Sequence, residues 1–548
     1  MISPFSASTR AASLAELANG AVDVLVIGGG ITGAGIARDA AMRGLRTALV
    51  ERGDFATGTS GRSSRLVHGG LRYLEHYAFR LVHESVRERR ILLRIAPHLV
   101  WPRSFLFPLY AGGRVPRWQL AAGMWLYDAL ASFRNVERHR WLSKRAMLRA
   151  EPRLRAEALL GGARYYDAQC DDARLTLANV RDAHRYGALV ASYAEVEGFD
   201  IAAGRVRAAR VVDRLTGDTL VARAQVVVNA TGPWSDAVRQ DGCRMLQFSK
   251  GAHVVIARSR LGLAEAVTIL SPVDGRVMFA LPWGDLAYIG TTESPLDDAP
   301  ADITADAADV VYLLRSANAV FPDARLQPDD VIATWAGVRP LVRPPNAVDP
   351  GAVPREHVIV EAPGLVSVLG GKLTTYRRMA ADTVDRVAAA LHGLDGRTLP
   401  PRARTDSEPL PGGETADLDL IAAEVEREGI ASPTARRLVQ RYGSEAPAVA
   451  RLAAADPKLG LPIATGASAI RAELIYAVQR EMALTLPDLL IRRTHVFYET
   501  PGHGLADAAD LAALVAPDLG WDAARCAAEV DAYRNEVARA EAFRHQLR

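Results

Sequence analysis

The segment SGRSSRLVHGGLRY, residues 60–73, sets Arg62, Arg65, His68 and Arg72 among serines and glycines. Guanidinium groups grip phosphate or carboxylate through paired, charge-assisted donors, and a nearby imidazole moves protons near neutral pH. A segment of this composition handles an anion. Two further cations stand at the ends of apolar runs, Arg339 in GVRP and Lys372 in GGKLTT. A second histidine, His253 in KGAHVVIA, opens another such run.

These groups need elements that bring them together. Val22 to Ile27 is rich in β-branched residues and does not alternate, which predicts a buried parallel strand. Gly28, Gly30 and Gly33 follow as G-x-G-x-x-G, with Thr32 between them, and small residues at helical spacing run on to Gly44 as a C-cap. The first glycine permits a tight turn and the second lets backbone approach a pyrophosphate. The third lets the helix pack close to the strand, aiming its positive end at the phosphates. A second apolar run, Thr47 to Val50, ends on Glu51, 23 residues past Gly28. A carboxylate there accepts both ribose hydroxyls and repels a 2′-phosphate, which disfavours NADP.

Later runs, AQVVVNATGPW and GLVSVLGGKLTTYRRMAADTVDRVAAAL, read as further strands of the same sheet, the second feeding a strong helix. Gly371, Lys372, Leu373 and Thr374 lie where that helix begins, and they present backbone N–H groups and a dipole to a second anionic centre. A reduced flavin has one, on its pyrimidine ring, and a nicotinamide does not. With no second G-x-G-x-x-G in the chain, the cofactor predicted is FAD. Between the two runs, GRVMFALPWGDLAYIGTTE predicts an antiparallel hairpin around a Gly-Asp turn.

The expected fold is therefore α/β. A Rossmann-type FAD-binding domain of the glutathione-reductase/amino-acid-oxidase type spans residues 21–400 discontinuously. It carries an inserted antiparallel β substrate domain, or cap, mainly at about 245–335. Pro- and Gly-rich punctuation near 400–413 precedes a separate C-terminal helical domain, 405–548. Residues 1–20 read as a loose tail, with a targeting segment as the alternative.

Composition is consistent with this. The chain has 548 residues, a net charge of +3 and 49% hydrophobic residues. So small a charge gives no global case for nucleic-acid binding. Cys170, Cys243 and Cys526 are too scattered for a disulfide framework or a zinc site, and no metal is expected. No run reaches the roughly 18 apolar residues of a spanning helix. The segment 114–133 sets Arg114, Arg117, Trp118 and Trp125 around an apolar stretch, as interfacial helices do, although a buried core or a dimer contact would also account for it. The helix 472–494 reads equally as a dimer surface or a domain contact.

GGGITGAGIARDAAMRGL, SSRLVHGGLRYLEHYAFRLVHESVRER, NATGPW, GVRPL and LGGKLTTYRRMA together resemble the FAD-dependent, quinone-linked glycerol-3-phosphate dehydrogenases, from about residue 21 to 395 and more weakly beyond. The family pattern has lysine where this chain has Arg65, which keeps the charge but alters its geometry. The resemblance implies oxidation of sn-glycerol 3-phosphate to dihydroxyacetone phosphate, with hydride to FAD and electrons to quinone. It also implies a homodimer held peripherally at the cytoplasmic face of the membrane. Thr59, Ser60, Ser63, Ser64, His68 and Gly70 would follow the flavin, with Thr231 and Gly232 beside it. Arg72, Tyr73, Arg339 and Lys372 would hold the substrate. A solvated or structural cation is the alternative reading of Arg72, Arg339 and Lys372. Oxidising an alcohol also needs a base with a pKa near neutrality, for which His253 is the first candidate. A structural role for His253, with Arg339 stabilising the alkoxide and water taking the proton, is the alternative. Oxygen as acceptor, a carboxylate substrate, and a flavin-binding regulator without turnover stay open.

Overall fold

The computed structural model describes residues 4–547 apart from 72–73, 75–76, 133–134, 240–241, 344–355 and 416. Two sheets organise the chain. In the first, the Ala21–Ile27 strand lies between Thr47–Val50 and Thr219–Asn229, all parallel, with Leu189–Ala191 and Leu365–Gly370 extending the parallel core on either side. Register puts Ile27 opposite both Val50 and Asn229, so the strands end together. Gly28, Glu51 and Ala230 therefore meet at one rim, the carboxyl end of the sheet, where open α/β sheets bind ligands. Helices Ile31–Met42 and Tyr376–Asp395 cover one face, burying Ala34, Ala37, Val384 and Val387 against Val24, Val26 and Val228.

Among the described residues the second sheet has ten strands. Val277–Trp283 and Leu286–Gly290 form the hairpin expected at the Gly-Asp turn. Leu246–Ala257 lies between Leu286–Gly290 and Val331–Val342. The sheet also recruits Leu66–Val67, Val100–Tyr110, Arg140–Ser143 and Leu159–Cys170, so it reaches well outside 245–335. Pro102 and Pro108 interrupt any alternation in VWPRSFLFPLY, which hides this strand from a pattern reading.

Residues 7–19, read from the sequence as part of a loose tail, form a helix, Ala7–Asn19. Its buried stripe is Arg10, Ser13, Leu14 and Leu17, spaced i, i+3, i+4 and i+7. Half of the stripe is polar, so no apolar periodicity announces it. Arg10 docks the helix by a forked bond to Asp213, 2.6 and 2.9 Å, and Phe5 packs on Phe55.

The C-terminal helices share one core with the second sheet. Leu474, Leu489, Val496 and Tyr498 pack with Phe105, Leu281, Tyr288 and Trp335. Helix Ala472–Arg480 is buried on most faces, so of the two readings of 472–494 it is the domain contact. A charged lock adds to this. Asp54, three residues past Glu51, accepts two bonds from Arg493, 2.7 and 2.8 Å, and pairs with Arg492, which also reaches Asp488. Burial pushes the Asp54 carboxyl up, but Arg493 and Arg492 outweigh it and hold the group below the usual carboxylate range. Asp54→Ala leaves these arginines buried with half their partners gone. It should cost about 3 kcal/mol, read as a lower urea midpoint. An unchanged midpoint would show that the lock contributes nothing.

Candidate active site

The rim of the first sheet opens into a cavity of about 360 Å³. Gly28 turns the chain at φ +108° and donates its N–H to Val50, closing the corner between strand and helix. A β-carbon on Gly33 would lie 1.9 Å from the Gly28 carbonyl oxygen, so only glycine lets the helix start so close to the strand. Gly30 and Thr32 line the cavity, whereas Gly33 sits behind it. Ile31, first in the helix, donates its N–H to the Ser60 hydroxyl at 2.9 Å. The Glu51 carboxylate accepts from the N–H groups of Gly29 and Gly53, 2.6 and 2.9 Å, which fixes its direction.

Thr59, Ser60, Ser63, Ser64, His68, Thr231, Gly232, Gly371, Lys372, Leu373 and Thr374 all border the same cavity. Thr59 is tied to the second sheet by its hydroxyl, which donates to Val338. Thr374 receives the His68 N–H, joining the serine-rich segment to the LGGKLTT turn. That turn is one 3₁₀ turn, Leu373–Thr375, running into Tyr376–Asp395, with Gly370 and Gly371 both at positive φ. Gly70 lies elsewhere, on the wall of a second cavity. Arg72 and Tyr73 lie outside the described residues.

The second cavity, about 520 Å³, lies under the ten-stranded sheet. Its walls are mostly apolar: Leu71, Phe105, Phe107, Leu120, Tyr165 and Phe279 among them. Ser64, Leu66, His68 and Arg339 border both cavities, so these residues form their shared wall. Arg339 donates to the Thr291 hydroxyl at 2.8 Å and to the carbonyls of Lys250 and Thr292 at 3.3 Å. Gly251 leaves the room its guanidinium occupies.

His253 crosses from the neighbouring strand. Its ring lies where a β-carbon on Gly290 would stand, stacks on Trp335 at 4.7 Å, and faces the Ser64 hydroxyl, 2.9 Å from Nε2. Burial, then the Arg339 and Arg65 charges, holds its pKa well below the ordinary imidazole value. It is therefore neutral at physiological pH, the form able to accept a proton, but a weaker base than the near-neutral one expected from the sequence. Lys372 borders the first cavity only.

Several contributors lay outside the sequence reading. Arg52 lies over the Trp234 indole, 3.9 Å from its centroid, and both border the cavity beyond Glu51. Their adjacency to Glu51 and to the NATGPW turn was the available signal. Asp172 anchors Ser63 through its N–H and hydroxyl, 3.0 and 2.7 Å. Asp167 accepts from the Gly69 N–H and the Tyr127 hydroxyl and pairs with Arg89, pinning the glycine pair beside the second cavity. Nothing local to Asp167 or Asp172 marks these roles.

The glycine corner, the helix start, the ribose-spaced carboxylate and the hydroxyl-rich wall fit a flavin dinucleotide. A sequence model of the FAD dependent oxidoreductase family matches residues 23–377, and one of the C-terminal domain of alpha-glycerophosphate oxidase matches residues 403–526. The chain belongs to the FAD-dependent oxidoreductase family, in the branch of the glycerol-3-phosphate dehydrogenases, and FAD is its cofactor. It is 40% identical to glycerol-3-phosphate dehydrogenase 2 of Mycobacterium bovis over 97% of this chain and 90% of that one. It is 37% identical to the aerobic glycerol-3-phosphate dehydrogenase of Staphylococcus aureus, over 96% and 95%. The crystal structure of the Bacillus halodurans glycerol-3-phosphate dehydrogenase with FAD superposes with a TM-score of 0.81 at 33% identity, covering 98% of each chain.

Proposed function

We propose that this chain oxidises sn-glycerol 3-phosphate to dihydroxyacetone phosphate and passes the electrons to a membrane quinone. The observation that carries the reading is the wall shared by the two cavities. It sets Arg339 and Ser64 beside the cofactor cavity on one side and a separate chamber on the other. FAD, when bound, supplies the acceptor for the hydride leaving the alcohol carbon. Arg339, with Arg72 and Lys372, holds the phosphate dianion, for which several charge-assisted donors are required. The alcohol proton leaves through the Ser64 hydroxyl to His253, whose neutral imidazole lies one hydrogen bond behind it.

The acceptor side is supported by the surface around the second cavity. Tyr77, Phe79, Trp118 and Leu126 border that cavity and are also exposed, Trp118 by 74%. Trp125, on the same helix Arg117–Leu130, is exposed by 58%. Aromatic side chains beside Arg114 and Arg117 suit a bilayer interface, where a water-insoluble quinone is met. No helix among the described residues is long and apolar enough to cross a membrane.

Anaerobic mixing with sn-glycerol 3-phosphate should bleach the flavin's visible band. Reoxidation then separates the acceptors: quinone in lipid vesicles should restore the colour faster than dissolved oxygen. A flavin that does not bleach would end the substrate assignment, and faster return with oxygen would make the protein an oxidase.

A further inference from the structure

The C-terminal helices reach to within one residue of Ser64, by way of Arg65. That residue is 4% exposed. Its guanidinium carbon lies 4.0 Å from the ring centroid of Trp283, 5.1 Å from that of Trp335 and 5.3 Å from that of Tyr498. The Asp172 carboxylate stands 4.0 Å from Nε. Trp283 and Trp335 come from the ten-stranded sheet, Asp172 from the start of helix Asp172–Arg185, and Tyr498 from the C-terminal helix Val496–Glu499. Three parts of the protein thus close on one cation.

The backbone under it is held as tightly. Arg65 sits at φ +53°, a left-handed conformation that a residue with a β-carbon keeps only when its surroundings impose it. Its N–H donates to the Ser63 hydroxyl, and its carbonyl accepts from Cys170. The carbonyls of Ser63 and Ser64 accept from the Trp335 indole and the Tyr288 hydroxyl, both at 3.0 Å. Trp335 is also the ring on which His253 stacks. The box that grips Arg65 therefore also orients the two partners of the Ser64–His253 hydrogen bond.

We infer that Arg65 is a positioning residue, holding the Ser64 hydroxyl against His253, and that the C-terminal helices serve the reaction by supplying Tyr498 as one wall of its box. This rests on the reading of His253 as the group that takes the substrate's proton. Arg65 cannot take that proton itself, because a guanidinium is charged at every working pH. Among the described residues, the ionisable groups facing His253 are Arg339 from the adjoining strand, Arg65 from the segment beside it, and the Tyr288 phenol. Both cations favour the neutral imidazole, so removing Arg65 shifts its titration upward, toward the ordinary value.

The test is anaerobic flavin reduction at saturating sn-glycerol 3-phosphate in the FAD-loaded protein, with Arg65→Met, Arg65→Lys, Tyr498→Leu, His253→Asn and the double variant Arg65→Met/His253→Asn. Misplacing a reacting group by about 1 Å costs on the order of 100-fold. Arg65→Met should therefore slow reduction roughly 10- to 100-fold while the substrate dissociation constant moves far less. Arg65→Lys should recover most of the rate, and Tyr498→Leu should lose part of it. The double variant should be no slower than His253→Asn alone. A fully additive loss in the double variant would mean that Arg65 does not act through His253. So would a rate loss that tracks lost FAD or thermal stability.

If His253→Asn is slow and Arg65→Met is not, only the positioning inference falls. If both reduce at the wild-type rate, the base assignment falls with it. Should the wild type fail to bleach, the oxidised flavin spectrum gives a substrate-free readout between about pH 5 and 8. A spectrum that titrates in Arg65→Met but not in the wild type supports the inference, and two flat profiles oppose it.

Discussion

Gly33→Ala should purify as a colourless protein that fails to take up FAD. The added β-carbon would stand 1.9 Å from the Gly28 carbonyl oxygen and 3.1 Å from its carbon. Both atoms belong to the Gly28 backbone, so no flexible side chain can give way. Relief requires helix Ile31–Met42 to draw back from the strand, which opens the corner at Gly28 and turns the first N–H groups of the helix away from the pyrophosphate. Those donors and the helix dipole are the cofactor's main anion site, and losing them should weaken FAD by more than about 100-fold, or roughly 3 kcal/mol. The measurement is the ratio of flavin to protein absorbance after reconstitution with excess FAD. Gly123→Ala is the control, because its β-carbon would meet nothing within 4 Å. A Gly33→Ala protein with a full complement of flavin would show that the close packing is dispensable.

Arg339→Ala should leave FAD bound while lowering kcat/KM for sn-glycerol 3-phosphate by roughly 100- to 10,000-fold, as expected when one partner of a buried, charge-assisted contact is deleted. Arg339 borders both cavities, and its guanidinium is aimed by Thr291 and by the Lys250 and Thr292 carbonyls. A lysine has neither the planar fork nor the reach to reproduce three fixed donors, so Arg339→Lys should recover little. Uncharged glycerol provides the internal control. The wild type should strongly prefer the phosphorylated substrate, and the variant should lose most of that preference. Equal losses for both substrates would move Arg339 from phosphate binding to the alkoxide, the alternative its position also allows.

The legible part of this protein is the part whose chemistry is local. Gly28 and Gly33 must be glycine because neighbouring backbone occupies the space, and Glu51 is recognisable by its place just past the end of the next strand. The hairpin at 277–290 announces itself through a Gly-Asp turn between two strand-like runs. The LGGKLTT turn is recognisable for the same reason, since a helix start is written in the few residues that make it.

Other features have no local signature. The N-terminal helix stayed hidden because Arg10 and Ser13 fill half of its buried stripe and find their partners about 180 to 200 residues away. The lock on Asp54 joins side chains more than 400 residues apart. His253 could be named as a histidine beside a strand, but its hydrogen bond to Ser64 exists only because the strand pairing sets Gly290 opposite it and leaves room for the ring.

The boundary between the two groups has a physical origin. Backbone sterics and turn chemistry act over a handful of residues, so the cofactor corner can be read directly from the chain. Cavities, buried charges and the direction of an imidazole depend on which distant surfaces pack together. The second chamber and the box around Arg65 came into view only when the two sheets and the C-terminal helices were assembled around them.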